Sequence, residues 1–148
     1  MSRSVLARLL FICAGTFSTF SLLSCSSEER SAAFDLESAK KRWNTSEKLW
    51  NLQELISLEH GRVIFSKNCA ACHGKEGGGN LAIGAPALVN NAIIKGDLKY
   101  HLALIKKGKN LMPSFAQTLN NEEIVDVAAY ERNVWGNHDY SVFEGSLD

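Results

Sequence analysis

The residues best suited to chemistry stand together: Cys69-Ala70-Ala71-Cys72-His73. Two thiols three positions apart fall within one helical turn, and an imidazole follows directly. Three chemistries use such a group. A structural zinc site takes four ligands, commonly including a second cysteine pair, and no cysteine follows Cys72. A thioredoxin-like redox pair belongs to a βαβ pattern, whereas here the pattern is helical before the motif and a loop after it. The third is attachment of c-type haem, for which C-x-x-C-H is the signal. Cys69 and Cys72 would reach the two vinyl groups on one edge of the macrocycle and form thioethers. His73 would then stand beneath the iron as a nitrogen ligand.

The elements that must position this motif read as helices and loops. Ser57 is a plausible N-cap for a helix from about Leu58 to Asn68. Asp97 introduces a second helix, with Leu98, Leu102 and Ile105 on one face and Gly108 as its stop. Asn120 and Glu123 form an Asx variant of the capping box at the start of a third, with Leu119 and Ile124 at the staple positions. That helix follows the 3.6-residue period through Val127, Ala128, Val134 and Trp135, with Glu131 as one charged interruption, and ends at Gly136. Residues 74–96 and 109–119 are long irregular loops, and no strand is expected. A domain spanning residues 57–136 has a thin core and needs a staple, and loops of this length need something to fold around.

Residues 34–56 carry Leu36, Ala39, Trp43 and Trp50 at helical intervals, which predicts one or two short amphipathic helices broken at Asn44-Thr45-Ser46. The two tryptophans either pack on the domain or offer a docking surface. Residues 137–148 read as a tail.

The first 24 residues read as an export signal: Arg3 and Arg8, an apolar run from Leu9 to Gly15, then Leu22-Leu23-Ser24-Cys25. The last four resemble the lipobox of bacterial lipoproteins, which implies that Cys25 becomes the lipidated first residue. A short signal anchor, or an ordinary signal with Cys25 incidental, are the alternatives. Residues 25–33 then read as a polar tether. Several acyl chains anchor a protein stably to a membrane without crossing it, and no apolar run reaches the ~18 residues a spanning helix needs. Cysteine use agrees. Cys13 leaves with the signal, Cys25 takes lipid, and Cys69 and Cys72 take haem, so no cysteine remains for a disulfide.

The chain has 148 residues, 45% hydrophobic and 22% charged, with 16 Lys+Arg against 16 Asp+Glu. Losing Arg3 and Arg8 with the signal leaves 14 basic against 16 acidic residues. Neither balance has the basic excess of a nucleic-acid-binding domain.

From about Ser57 to Gly136 the chain resembles the class I cytochromes c. Gly61 and Phe65 match the glycine and aromatic that precede the haem motif, and Tyr130 matches the aromatic of the last helix. Pro86 and Leu88 match the family's P-x-L. The resemblance implies that the Pro86 carbonyl accepts a hydrogen bond from His73 and that Leu88 presses on the same haem face. Met112, in Gly108-Lys109-Asn110-Leu111-Met112-Pro113, matches the sixth ligand. It is also the only methionine left after processing. His60, His101 and His138 read as solvated or core histidines, with His101 the runner-up sixth ligand.

The resemblance therefore implies an all-α domain wrapped around one covalent haem c, with His73 and Met112 as axial ligands. It implies one-electron transfer between redox-protein partners, with no enzymatic activity of its own and no small-molecule substrate. The protein would be a membrane-anchored carrier or a haem-bearing subunit of an oxidase or dehydrogenase, on the extracytoplasmic side of a bacterial membrane. A gas sensor or peroxidase-like protein with a labile sixth ligand is the alternative. Lys95, Lys99, Lys106, Lys107 and Lys109 lead into the Met112 loop. They form either a solvated helix face or a positive rim that steers an acidic partner.

Overall fold

The computed structural model describes residues 34–143. The export signal, Cys25 and the tether lie outside the described residues. Five α-helices carry the described chain: α1 (Leu36–Trp43), α2 (Leu52–Asn68), α3 (Ala70–His73), α4 (Leu98–Lys107) and α5 (Asn121–Asn133). Two 3₁₀ turns, Leu81–Ile83 and Tyr140–Phe143, complete the list. Among these residues there is no strand, only isolated bridges Asn80–Ala85 and Lys109–Met112. The fold is all-α, as expected.

The same sequence device starts both long helices. Asn120 accepts from the Glu123 N–H while Glu123 reaches back to the Asn120 N–H, and Asn51 and Glu54 make the same reciprocal pair. Two orphan donors are satisfied at each start. For α5 this agrees with the sequence reading, although Val134 caps it and Trp135 already has φ 55°. For α2 it corrects the expected start. Ser57 is not a cap; it lies buried inside the helix and hydrogen-bonds Asp126 on α5. The helix thus runs through the expected boundary at residue 57.

α2 and α5 cross at Gly61. A Cβ placed there would lie 1.9 Å from the Asp126 carbonyl oxygen and 2.9 Å from Tyr130 Cβ, so only hydrogen fits. Around the crossing Leu58, Ile64, Phe65, Ile124, Val127, Ala128 and Tyr130 are buried. His60 Nδ1 meets Asp126 Oδ2 at 2.7 Å on the flank.

α1 is pinned to this pair through one carboxylate. Glu59 accepts from Trp43 Nε1 at 2.9 Å, from Arg62 Nε at 2.8 Å and from Arg42. Asp35 caps α1, and Asn44 ends it at the expected break. Trp43 and Trp50 are both buried: Trp43 packs edge-on to Tyr130, and Trp50 edge-on to Tyr140 and Phe143. The segment read as a tail is therefore packed as far as Phe143, with Val142 in the core.

Candidate haem site

The C-x-x-C-H residues occupy one turn directly after α2. The Cys69 N–H closes the last turn of α2 on the Phe65 carbonyl at 2.9 Å, and the His73 N–H bonds the Cys69 carbonyl at 3.0 Å. Cys69 is buried and Cys72 exposed. Burial pushes the Cys69 thiol up to about 12, with Glu131 and Cys72 adding to the shift. Phe65, Tyr130 and Trp135 pack ring against ring on this side, at centroid separations of 4.9–5.4 Å.

His73 is buried, and its Nδ1 lies 3.0 Å from the Pro86 carbonyl oxygen. A carbonyl can only accept, so Nδ1 carries the proton and the lone pair is on Nε2. That is the nitrogen a metal would take. The loop reaches this geometry through glycines. Gly79 (φ 78°) donates to the His73 carbonyl at 2.8 Å, and a Cβ there would lie 2.7–2.8 Å from the backbone at Ala85–Ala87. At Gly77 a Cβ would run into the Trp135 ring at 2.6 Å. The Leu88 N–H bonds the Gly77 carbonyl at 2.7 Å, and Leu88 is buried.

Met112 sits in a second loop built on α4. Lys109 and Met112 exchange backbone hydrogen bonds of 3.2 and 3.0 Å across Asn110, which has φ 55°. Gly108 (φ 71°) could not carry a Cβ, which would lie 2.3 Å from the Met112 carbonyl oxygen. After Pro113 the chain folds back onto the end of α4. Ser114 Oγ donates to the Lys106 carbonyl, and the Phe115 N–H to that of Ile105. These bonds satisfy carbonyls that a helix end leaves open. Met112 is half-buried.

The other sequence candidates separate from these. His101 is buried on α4 with Nε2 2.9 Å from Glu131 Oε2, so its Nε2 is already engaged. His60 is held by Asp126, and His138 is exposed. Lys95, Lys99, Lys107 and Lys109 are exposed and Lys106 half-buried. Three contributors are not visible in the sequence: Glu131, which there only interrupts the helical period; Trp135, which follows that period; and Asn137, which lies in the tail. Nothing in their local sequence signals a partner, because each finds it across the fold.

These residues fit a haem. The donor set offers two thiols, an imidazole of fixed tautomer and a soft thioether, which is the set for covalent attachment and axial ligation. The two loops also carry five of the eight large hydrophobics exposed among the described residues: Leu81, Ile83, Val89, Ile93 and Leu111. Leu81 is 96% and Leu111 81% exposed. Side chains of this kind are apolar surface prepared for an apolar plane.

The family model described as cytochrome C oxidase, cbb3-type, subunit III matches residues 57–130. Cytochrome c6 of Synechococcus elongatus is 43% identical over 76 residues, covering 49% of this chain and 85% of its own. The chain belongs to the class I cytochromes c. Cytochrome c6 of Cyanidium caldarium is 44% identical over 77 residues, 50% of this chain and 68% of its own. The cbb3-type cytochrome c oxidase subunit CcoP of Azospirillum brasilense is 36% identical over 89 residues, 56% of this chain and 30% of its own. No solved structure gives a significant match. As a class I cytochrome c the protein holds one haem c through cysteines and transfers electrons; within the matched span those cysteines are Cys69 and Cys72.

Proposed function

We propose that this cytochrome is an exported electron carrier, held to a bacterial membrane by lipid on Cys25, in which His73 and Met112 are the axial ligands. In this reading residues 1–24 are a lipoprotein signal and 25–33 a tether. Residues 34–56 are a helical extension that runs on into the domain through α2, 57–136 the cytochrome domain and 137–148 a tail, of which Tyr140 and Phe143 pack back on the extension. The observation that carries the ligand assignment is the 3.0 Å contact between His73 Nδ1 and the Pro86 carbonyl. It leaves Nε2 as the metal-binding nitrogen and makes the imidazole a stronger donor. When bound, the haem supplies an iron that cycles between two oxidation states. The chain's part is to hold both donors still, so that little rearranges as charge changes. Leu88 and the loop hydrophobics keep water away, and the Met112 thioether favours the reduced metal.

Met112→Ala tests the sixth ligand. The haem should stay covalently bound while the sulfur-to-iron charge-transfer band disappears, the potential falls and carbon monoxide gains a site. An unchanged oxidised spectrum would mean that another residue binds the iron. Cys25→Ser tests the anchor: the haem-loaded protein should move from the membrane to the soluble periplasmic fraction. Retention in the membrane after signal cleavage would exclude lipid as the tether.

A second reading, a haem-bearing subunit fixed to one oxidase, draws on the likeness to the Azospirillum brasilense CcoP. Purification from native membranes after mild detergent extraction separates the two, since a fixed subunit brings its complex with it.

A further inference from the structure

Asn137 lies beyond the span that matches the family, in a segment with no helical or strand character, yet it is only 3% exposed. Its amide is almost fully used. Nδ2 donates to the Leu88 carbonyl at 2.9 Å and to the Glu131 carbonyl at 2.7 Å, and Oδ1 accepts from the Asn91 N–H at 2.8 Å. Two carbonyls and one N–H fix which end of the amide is which. One side chain thus ties the last turn of α5 to both ends of the Leu88–Asn91 segment. A backbone bond from the Asn90 N–H to the Trp135 carbonyl, 2.9 Å, runs beside it.

The chain bends sharply to deliver this amide. Trp135, Gly136 and His138 have φ of 55°, 79° and 41°, so three of four consecutive residues are left-handed. For Trp135 and His138 this is a conformation that residues with a Cβ rarely adopt, and it persists where surroundings over-determine it. Meanwhile Pro86, Ala87, Val89 and Asn90 are exposed. Among the chain's own contacts, apolar burial holds the segment at Ala85 and Leu88. Hydrogen bonds must do the rest, and Pro86, two residues from Leu88, is the residue whose carbonyl meets His73.

We propose that Asn137 is a positioning residue for the proximal ligand: by clamping the Leu88–Asn91 segment to α5 it fixes the Pro86 carbonyl that accepts the His73 Nδ1 proton. The inference rests on His73 being that ligand. The bond it protects fixes the ring's orientation and raises its basicity. Loosening the clamp weakens that bond, leaves the imidazole a poorer donor to oxidised iron, and moves the reduction potential upward.

The test compares Asn137→Ala with Tyr140→Ala, which removes ring packing on Trp50 in the same segment without touching the loop. Both variants should lose thermal stability. In the reduced, haem-loaded protein labelled with ¹⁵N-histidine, Asn137→Ala should speed hydrogen exchange at His73 Nδ1 by tenfold or more and raise the potential, whereas Tyr140→Ala should do neither. Stability lost in Asn137→Ala with wild-type exchange and potential would overturn the proposal. If the alanine variant does not mature, Asn137→Ser is read by the same two measurements, and wild-type values there overturn it equally. Absence of a protected Nδ1–H resonance in the unmodified protein would sink the proximal-ligand reading itself, a failure distinct from a resonance that is present but indifferent to residue 137.

Discussion

Gly61 shows how much one missing side chain decides. The 1.9 Å approach of a would-be Cβ to the Asp126 carbonyl oxygen is to backbone, not to the end of a flexible chain. Gly61→Ala must therefore push α2 and α5 apart along a buried seam. Overpacking of this kind costs about 1–3 kcal/mol and more where backbone must move. The helix-propensity gain of alanine, about 1 kcal/mol, does not offset the upper part of that range. The haem-loaded variant should unfold at lower denaturant, as followed by circular dichroism. Gly61, Phe65 and Tyr130 were legible through the resemblance to the class I cytochromes c, whose glycine and aromatics they match. Glu131 was not: a carboxylate on a helix looks solvated until its partner His101, 30 residues away, is known. Cys69, Cys72 and His73 were legible for the opposite reason, since their spacing is local and their chemistry narrow.

At the scale of elements, the extension and the C-terminal segment form one unit. Trp50 is buried between them, with Tyr140 and Phe143 at centroid distances of 5.2 and 5.5 Å, its Nε1 on the Trp43 carbonyl and Lys48 Nζ 4.6 Å from its ring. Truncating a buried tryptophan typically costs about 3–5 kcal/mol. Trp50→Ala should lose stability on that order, read by thermal unfolding, while the haem spectrum stays unchanged because the contact lies outside the ligand loops. An altered spectrum would show that the clasp reaches the iron. Sequence periodicity found the helices on either side of this clasp but not the clasp itself. The start of α2 was hidden in plain view. Asn51 and Glu54 carry the same signature as Asn120 and Glu123, but Ser57 offered a competing cap nearer the motif. The left-handed turn at residues 135–138 leaves no sequence mark apart from Gly136, since tryptophan and histidine are poor predictors of such backbone.

For the whole molecule, the ion pairs that join segments set an acid limit. Burial works against charge on Glu59, but hydrogen bonds from Arg62, Arg42 and Trp43 outweigh it and hold its carboxyl below the usual range. Asp139 is alike: burial opposes its charge, and Ser141 and Arg132 more than compensate. A carboxylate whose pKa is lowered by folding contributes stability in full above its unfolded value, and loses it as pH falls through the folded value. With ordinary values of 4.5 for Glu59 and 3.8 for Asp139, the unfolding temperature should be flat with respect to these two groups near neutrality and decline below about pH 4. Glu59→Gln should shallow that decline, measured by calorimetry across an acid series. A decline that the substitution leaves intact would assign acid sensitivity to other carboxylates.

The crossing of α2 by α5 also bears on the order of events during synthesis. Ser57 and Asp126, which meet at that crossing, are 69 residues apart, so α2 and the haem-attachment turn that follows it are made well before the helix that crosses α2. Folded before the haem is joined, the chain would bury Cys69 and hold its thiol neutral. Both thiols are open to forming thioethers before the fold closes over Cys69. A chain that closed before the thioethers formed would seal one attachment point, Cys69, and leave the other, Cys72, open.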